Sequence, residues 1–286
     1  MSATQVQTGP RPRDLEPPRP ARRSISELLA PLERLSTNSS SLVANRGANF
    51  DSGSETCELS RCTFIGQQNG GAPLRIGIFA GINGDEPDGA YALVEFVRLL
   101  EAKPALAAGY CLSLYPVCNP TGFEDNTRCS RLGADLNRLF WSGSDEPEIL
   151  LLQAELRSHA FDGIITLHSD PRATSFYGAV RGPALTRHLL VSVLTAAGIR
   201  LPVAQPAADA PRLRDHEEPS AYCHHPGSLS APPEQQPQPF EVNLVAPKAP
   251  ATCIKQLVLV AAMRAILAEY RKFSSHAPYL TPRIIV

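Results

Sequence analysis

Side chains that can bind a metal ion or a carboxylate follow three apolar segments of this sequence. Residues 83–86 (Asn-Gly-Asp-Glu) follow the first segment, residues 119–122 (Asn-Pro-Thr-Gly) follow the second, and His168 ends the third. Residues 135–138 (Asp-Leu-Asn-Arg) lie between the second and third segments. Because the carboxyl ends of the strands meet at one rim of an open α/β sheet, we expect these groups to converge on one site.

Each group taken alone has an ordinary structural explanation. Glu86 begins a helical pattern, where a carboxylate is stabilised by the helix dipole. A lone histidine at a strand end is most often hydrogen-bonded rather than a ligand, and residues 119–122 form a turn sequence. Residues 135–138 are harder to explain, because their polar side chains lie between apolar residues. The convergence of separate strand ends is therefore stronger evidence for a functional site than any single motif.

Strand and helix patterns alternate along most of the chain. The predicted strands cover 74–80, 110–117, 163–167 and 240–245, and the predicted helices cover 86–102, 146–160, 185–197 and 253–273. The mostly apolar run at 74–80 is typical of a strand buried on both faces. The alternation predicts a single α/β domain with a mixed, largely parallel twisted sheet that is flanked by helices on both faces.

Three segments lie outside this alternation. Residues 1–23 are rich in proline and arginine and are predicted to be a disordered tail. Residues 24–58 are predicted to form a helix capped by Ser24, followed by a polar loop over 37–58. The main domain is predicted to span 59–286, and within it the proline-rich residues 201–238 form an irregular insertion of the kind that often has a function.

Composition narrows the class of function. The chain has 286 residues, of which 43% are hydrophobic, enough for one sizeable core. Its formal net charge of −1 gives no electrostatic reason to bind nucleic acid or an anionic membrane. The seven cysteines form no Cys-x-x-Cys pair and the N-terminus shows no signal-peptide pattern, so reduced thiols and a cytoplasmic location are predicted.

Together the four polar groups resemble the zinc carboxypeptidase (metallocarboxypeptidase) family, which includes the succinylglutamate desuccinylases and aspartoacylases. The family pattern is His-Gly-Asp-Glu, Asn-Pro-x-Gly, Asp-Leu-Asn-Arg and a later histidine after a strand, and the order is the same here. The resemblance implies a zinc ion held by two histidines and a glutamate, with a fourth position open to water. It also implies a metallohydrolase that removes a C-terminal residue or cleaves an acylated amino acid.

The resemblance assigns roles to individual residues. It implies that Glu86 and His168 are metal ligands and that Arg128 stabilises the oxyanion of the reaction. Asn137 and Arg138 are implied to bind the carboxylate of the substrate. The implied cofactor is zinc, and the implied partner is a peptide or small molecule with a free carboxylate.

Two positions depart from the family pattern. Asn83 stands where the family has its first histidine, and a neutral amide oxygen is a far poorer zinc ligand than imidazole. The family also has a catalytic glutamate on a late strand, which corresponds here to residues 240–247. One alignment puts Val245 in that position and is favoured because the following proline and helix match, whereas a second alignment puts Glu241 there.

These departures leave two hypotheses open. The first is a metallohydrolase whose activity is impaired by Asn83, and the second is an inactive pseudoenzyme that binds peptide or amino-acid carboxylates. Under the first hypothesis, residues 223–225 (Cys-His-His) in the insertion could supply a replacement zinc ligand. A surface loop with incidental histidines is the simpler interpretation of that tripeptide.

Overall fold

A seven-stranded sheet forms the centre of the structure. The structure is a computed structural model and describes residues 22–45, 47–53, 55–68, 70–182, 186–198, 226–247 and 251–280. The strands are β1 (Leu42–Asn45), β2 (Asn49–Ser52), β3 (Glu55–Glu58), β4 (Arg61–Ile65), β5 (Leu74–Ala80), β6 (Tyr110–Tyr115), β7 (Gly163–Asp170), β8 (Tyr177–Arg181) and β9 (Phe240–Pro247). The helices are α1 (Ile25–Asn38), α2 (Pro87–Ala102), α3 (Pro120–Asp125), α4 (Pro147–His159), α5 (Thr186–Gly198) and α6 (Thr252–Leu280).

The middle of the sheet is parallel and its edges are antiparallel. The strand order is β1-β4-β6-β5-β7-β9-β8, and the four strands β6, β5, β7 and β9 pair in parallel. The outer strands β1, β4 and β8 pair antiparallel, and β2 and β3 form a separate hairpin. Every residue of β7 and β9 is buried, as expected for parallel strands covered on both faces.

Helices cover both faces of this sheet. One core cluster joins Leu167 and Leu244 to apolar residues of α2, α5 and α6. The other joins Phe79 and Ile164 to α4 and to Leu229. Because side chains alternate between the two faces of a strand, neighbouring residues of one strand enter different clusters. The predicted fold class is therefore confirmed.

The polar segment at 37–58 differs from the prediction. It was predicted to be a loop, but it contains β1, β2 and β3, so that prediction was wrong. Strands this short take their conformation from the strand beside them rather than from their own pattern, and β1 pairs with β4 along its whole length. Leu42 of β1 is buried in the same cluster as Leu28 and Leu32 of α1.

The predicted tail and insertion fall mostly outside the described residues. Of the tail, Arg22 contacts the carboxylates of Glu55 and Glu124 at 3.3 and 2.9 Å, and Arg23 donates to the carbonyl of Gly84 at 2.7 Å. Residues 199–225 lie outside the description, whereas Leu229 in the later part of the insertion is buried in the second core cluster. Within the described ranges, no helix is long and apolar enough to cross a membrane.

Candidate active site

The site lies where the parallel strands end. The segment that follows β6 is hydrogen-bonded to the end of β5 and to the residue after it. The Cys118 amide donates to the Ala80 carbonyl and the Asn119 amide donates to the Gly81 carbonyl, both at 2.9 Å. β7 lies directly beside β5 and continues to Asp170, so that His168 is beyond the last paired residue of β5. The strand ends predicted from the sequence therefore do meet at one rim.

The Asn119 side chain links the loop after β5 to the backbone at Arg128. Its side-chain oxygen accepts from the Gly122 amide at 2.8 Å, which caps the start of α3. Its side-chain nitrogen donates to the carbonyls of Ile82 and Arg128 at 3.3 Å each. The Arg128 carbonyl also accepts from the Gly84 amide at 3.3 Å. These bonds fix the backbone of Arg128 beside residues 83–86.

Two buried carboxyl groups at the start of α4 accept hydrogen bonds at or near the turn at 119–122. The Thr121 hydroxyl donates to Glu148 at 3.1 Å, and the Ser130 hydroxyl donates to Glu146 at 2.5 Å. Burial raises the pKa of Glu148 above its ordinary value, an effect that the Thr121 hydrogen bond partly opposes. The turn is thus held by polar contacts from the start of α4 as well as by Asn119.

Asn83 and His168, which the family pattern places at metal-ligand positions with Glu86, both lie beside the Glu86 carboxylate. One Glu86 oxygen accepts from the Asn83 side-chain nitrogen at 2.8 Å, and the other accepts from the Ser169 amide at 2.9 Å. His168 Nδ1 lies 3.4 Å from Glu86, and Arg128 Nη1 lies 3.9 Å from it. Asn83, Glu86 and His168 are all buried. The prediction that these side chains converge is therefore confirmed.

The orientation of the Asn83 amide follows from its partner. An ionised carboxylate only accepts hydrogen bonds, so the amide must turn its nitrogen towards Glu86. The Asn83 oxygen then has no hydrogen-bond partner among the residues that the structure describes.

The predicted carboxylate-binding residues gather around Asp135. One Asp135 oxygen lies 3.1 Å from Arg128 Nε and 3.4 Å from Arg138 Nε. The other Asp135 oxygen accepts from the Asn137 amide at 3.3 Å. Asn137 is buried, whereas the Arg138 side chain is 67% exposed and open to a ligand. The sequence analysis assigned no role to Asp135, although this residue is the first of the Asp-Leu-Asn-Arg motif and could have been singled out on that ground.

The register of β9 separates the two candidates for the catalytic-base position. Val245 is fully buried and lies opposite His168 of β7 and Tyr177 of β8. Glu241 lies opposite Ile164, four residues earlier, which is roughly 13 Å along a strand.

Glu241 forms its described hydrogen bonds away from Glu86 and His168. Its carboxylate accepts from Arg181 at 2.9 and 3.1 Å and from the Ala231 amide at 2.8 Å. The structure therefore does not bring Glu241 together with Glu86 and His168. The candidate ligands at 223–225 lie outside the described residues.

Comparisons with solved structures match this fold to metallopeptidases. A provisionally assigned metallopeptidase from Shewanella denitrificans is 24% identical with a TM-score of 0.62, and the match covers 85% of this chain and 87% of that one. A metallo-carboxypeptidase from Burkholderia cenocepacia is 15% identical with a TM-score of 0.67, covering 88% and 70%. A Pseudomonas aeruginosa metallo-carboxypeptidase in complex with (2-guanidinoethylmercapto)succinic acid is 17% identical with a TM-score of 0.61, covering 87% and 70%.

A family comparison agrees with these structural matches. A search of curated proteins finds no match to the chain. Residues 73–223 match the model of the succinylglutamate desuccinylase/aspartoacylase catalytic domain, and this segment contains Asn83, Glu86, Arg128, Asn137, Arg138 and His168. The resemblance recognised in the sequence is confirmed. The chain belongs to the succinylglutamate desuccinylase/aspartoacylase catalytic domain family, and its fold is that of the metallo-carboxypeptidases.

Proposed function

We propose that this chain is a pseudoenzyme that binds the carboxylate of a peptide or an amino acid without hydrolysing it. The observation that carries this proposal is the hydrogen bond from the Asn83 amide to Glu86, at 2.8 Å, in the middle of the site. In the family pattern a histidine at that position shares a metal with the glutamate. Here the two side chains bind each other directly.

The donor set does not fit a resident zinc ion. Catalytic zinc sites have three strong protein ligands, and among the described residues Glu86 and His168 are the two of that kind that meet here. Both Glu86 oxygens already accept hydrogen bonds, from Asn83 and from the Ser169 amide. Over the described ranges, no group of three or more His, Cys, Asp or Glu side chains could hold a metal. An amide oxygen at Asn83 would be a weak third ligand.

The base position supports the same conclusion. Val245 lies beside His168 on the neighbouring strand, which supports the alignment that puts Val245 where the family has its catalytic glutamate. A valine cannot accept or donate a proton, so this position offers no general base. Glu241 is paired with Arg181 and lies roughly 13 Å away along the strand, too far to take over the role.

The residues proposed to bind the carboxylate, by contrast, match the family pattern and share contacts with Asp135. Arg128 Nε and Arg138 Nε lie 3.1 and 3.4 Å from the same oxygen of Asp135, so both guanidinium groups are neighbours of one carboxylate. A planar guanidinium can bind a carboxylate through two parallel hydrogen bonds. We infer that Arg138 and Asn137 bind the ligand carboxylate and that Arg128 lies against the adjacent carbonyl group. Recognition of a carboxylate by these residues would require no turnover.

Replacing Arg138 by alanine is expected to weaken the binding of a carboxylate ligand. Losing a charge-assisted hydrogen-bonded pair should raise the Kd about 10- to 100-fold. The measurement is calorimetric titration of the full chain with N-acetylated dipeptides that carry a free C-terminal carboxylate. The same peptides with an amidated C-terminus should bind the wild-type chain as weakly as the acids bind Arg138→Ala.

Arg98→Ala is the matched control for this experiment. Arg98 is a half-exposed arginine on α2 that contacts only the neighbouring Glu95 in the same helix, at 2.8 Å, among its described ion pairs. Its replacement should leave the Kd unchanged. If acid and amide peptides bind equally, or if Arg138→Ala binds as tightly as Arg98→Ala, the carboxylate-binding proposal is wrong.

The alternative function is a metallohydrolase of impaired activity. Membership of a hydrolase family and the retained Glu86 and His168 favour it. The wild-type chain would then release an amino acid from a peptide or an acylated amino acid, and a chelator would abolish the release. Chelator-sensitive turnover by the purified chain would establish this alternative and exclude the pseudoenzyme. An absence of turnover together with carboxylate-dependent binding would support the pseudoenzyme.

A further inference from the structure

A buried ion pair lies behind the site, in the helical layer. Lys255 in the first turn of α6 contacts Asp88 in the first turn of α2, with 2.5 Å between Nζ and Oδ2. Lys255 is 9% exposed and Asp88 is 5% exposed. The two residues are 167 positions apart in the chain, so the pair ties the start of one helix to the start of another.

This pair is costly unless it is well matched. Two charges removed from water lose their hydration, and removing only one of them leaves the other buried without compensation. A lysine at the start of a helix is also disfavoured by the helix dipole, whereas an aspartate there is favoured. Asp88 is therefore the group that makes a buried Lys255 tolerable at this position.

The ion pair is connected to the site through one residue. The Ser169 hydroxyl donates to the same Asp88 oxygen at 3.1 Å, and the Ser169 amide donates to Glu86 at 2.9 Å. A continuous series of contacts thus runs from Lys255 through Asp88 and Ser169 to Glu86. Glu86 in turn lies 3.9 Å from Arg128.

We propose that Lys255 is a positioning residue, which holds the Ser169 amide against Glu86 by way of Asp88. Glu86 in the site and Asp88 behind it each have a cation of the chain beside them, Arg128 and Lys255 respectively. The chain's own cations therefore supply countercharge at both carboxylates. The consequence for ligand affinity rests on the proposed function, whereas the link from Lys255 to Ser169 does not.

Amide hydrogen exchange of Ser169 in the ligand-free full chain tests this link. Lys255→Met should speed the exchange of the Ser169 amide by at least about tenfold relative to the amide of Leu112 in central β6, because local opening is reported residue by residue. The double variant Asp88→Asn/Lys255→Met, which removes both charges, should return the Ser169 amide to within about threefold of the wild-type rate.

A milder variant covers the case in which Lys255→Met does not fold. Ser169→Ala removes only the hydroxyl contact with Asp88 and should also speed exchange of its own amide relative to Leu112, after correction for side-chain type. Ser158→Ala, a serine on the exposed part of α4, is the matched control and should change neither amide. If Ser169→Ala leaves this amide as protected as in the wild type, or if Lys255→Met speeds both amides equally, the proposal is overturned.

Peptide titration of the same variants separates this inference from the proposed function. If Lys255→Met speeds exchange at Ser169 and also raises the Kd of acid peptides, both are supported. If it speeds exchange while the wild-type chain shows no carboxylate-dependent binding, the positioning role stands and the proposed function fails. If exchange at Ser169 is unchanged while acid peptides still bind the wild type, the proposed function stands and the role of Lys255 fails.

Discussion

The Asn83→His variant is expected to bind zinc more than about 100-fold more tightly than the wild-type chain. Loss of a residue that only hydrogen-bonds a metal ligand typically lowers metal affinity by about 10- to 100-fold, and loss of a ligand itself should lower it further. The substitution supplies an imidazole at a buried position that already contacts Glu86. It also removes the amide donor from the Glu86 carboxylate, so that Glu86, His168 and the new side chain offer the three strong ligands of a catalytic zinc site. Competition with a chromophoric chelator measures the two affinities.

The control for this variant is a histidine introduced elsewhere. Asn38 is an exposed asparagine at the end of α1, and Asn38→His should leave zinc affinity at the wild-type level. Metal content after dialysis should follow the same order, with about one zinc per chain only in Asn83→His. Equal zinc affinity in the wild type and in Asn83→His would show that position 83 is not what keeps zinc from this site.

Gly84→Ala is expected to destabilise the fold by about 3 kcal/mol, because overpacking against backbone cannot be relieved by a change of rotamer. A Cβ at Gly84 would lie 2.0 Å from the carbonyl carbon of Gly122 and 2.4 Å from the Phe123 nitrogen. The turn at 83–86 and the start of α3 would have to separate. Urea unfolding monitored by circular dichroism measures the free energy of unfolding of the variant and of the wild type.

Gly71→Ala is the matched control, since a Cβ at Gly71 would meet no atom within 4 Å. It should change the free energy of unfolding by less than about 0.5 kcal/mol. Gly84→Ala should also weaken acid-peptide binding, because the Gly84 amide holds the Arg128 carbonyl. A Gly84→Ala chain as stable as Gly71→Ala would mean that the two turns are not packed as closely as described.

Much of the fold was predictable because its central elements have strong local patterns. The run at Leu74–Ala80 is apolar along nearly its whole length, and the helix that follows carries an apolar face at helical spacing. Such segments form their structures wherever they are packed. The short strands β1 and β8 were missed because they have no comparable pattern and depend on β4 and β9 for their pairing.

The sequence predicted which residues would meet at the candidate site, but not how their side chains are arranged. The motifs singled out Glu86, His168 and Arg138, and the rule that strand ends share a rim predicted that Glu86 and His168 would meet. The bridging position of Asp135 between two arginines could not be read from residue types, since it depends on where the loop at 128–138 folds back. The contact between Lys255 and Asp88 joins distant parts of the chain and left no local signal.

The sequence by itself determined the family, the α/β class and the absence of histidine at position 83. These depend on local patterns and residue identities, which need no contact to be read. Only the tertiary structure decided that Val245 lies opposite His168 while Glu241 pairs with Arg181, and that the Asn83 amide binds Glu86. The physical reason is that the register between β7 and β9 and the packing of separate loops are set by long-range pairing, which one strand's sequence does not specify.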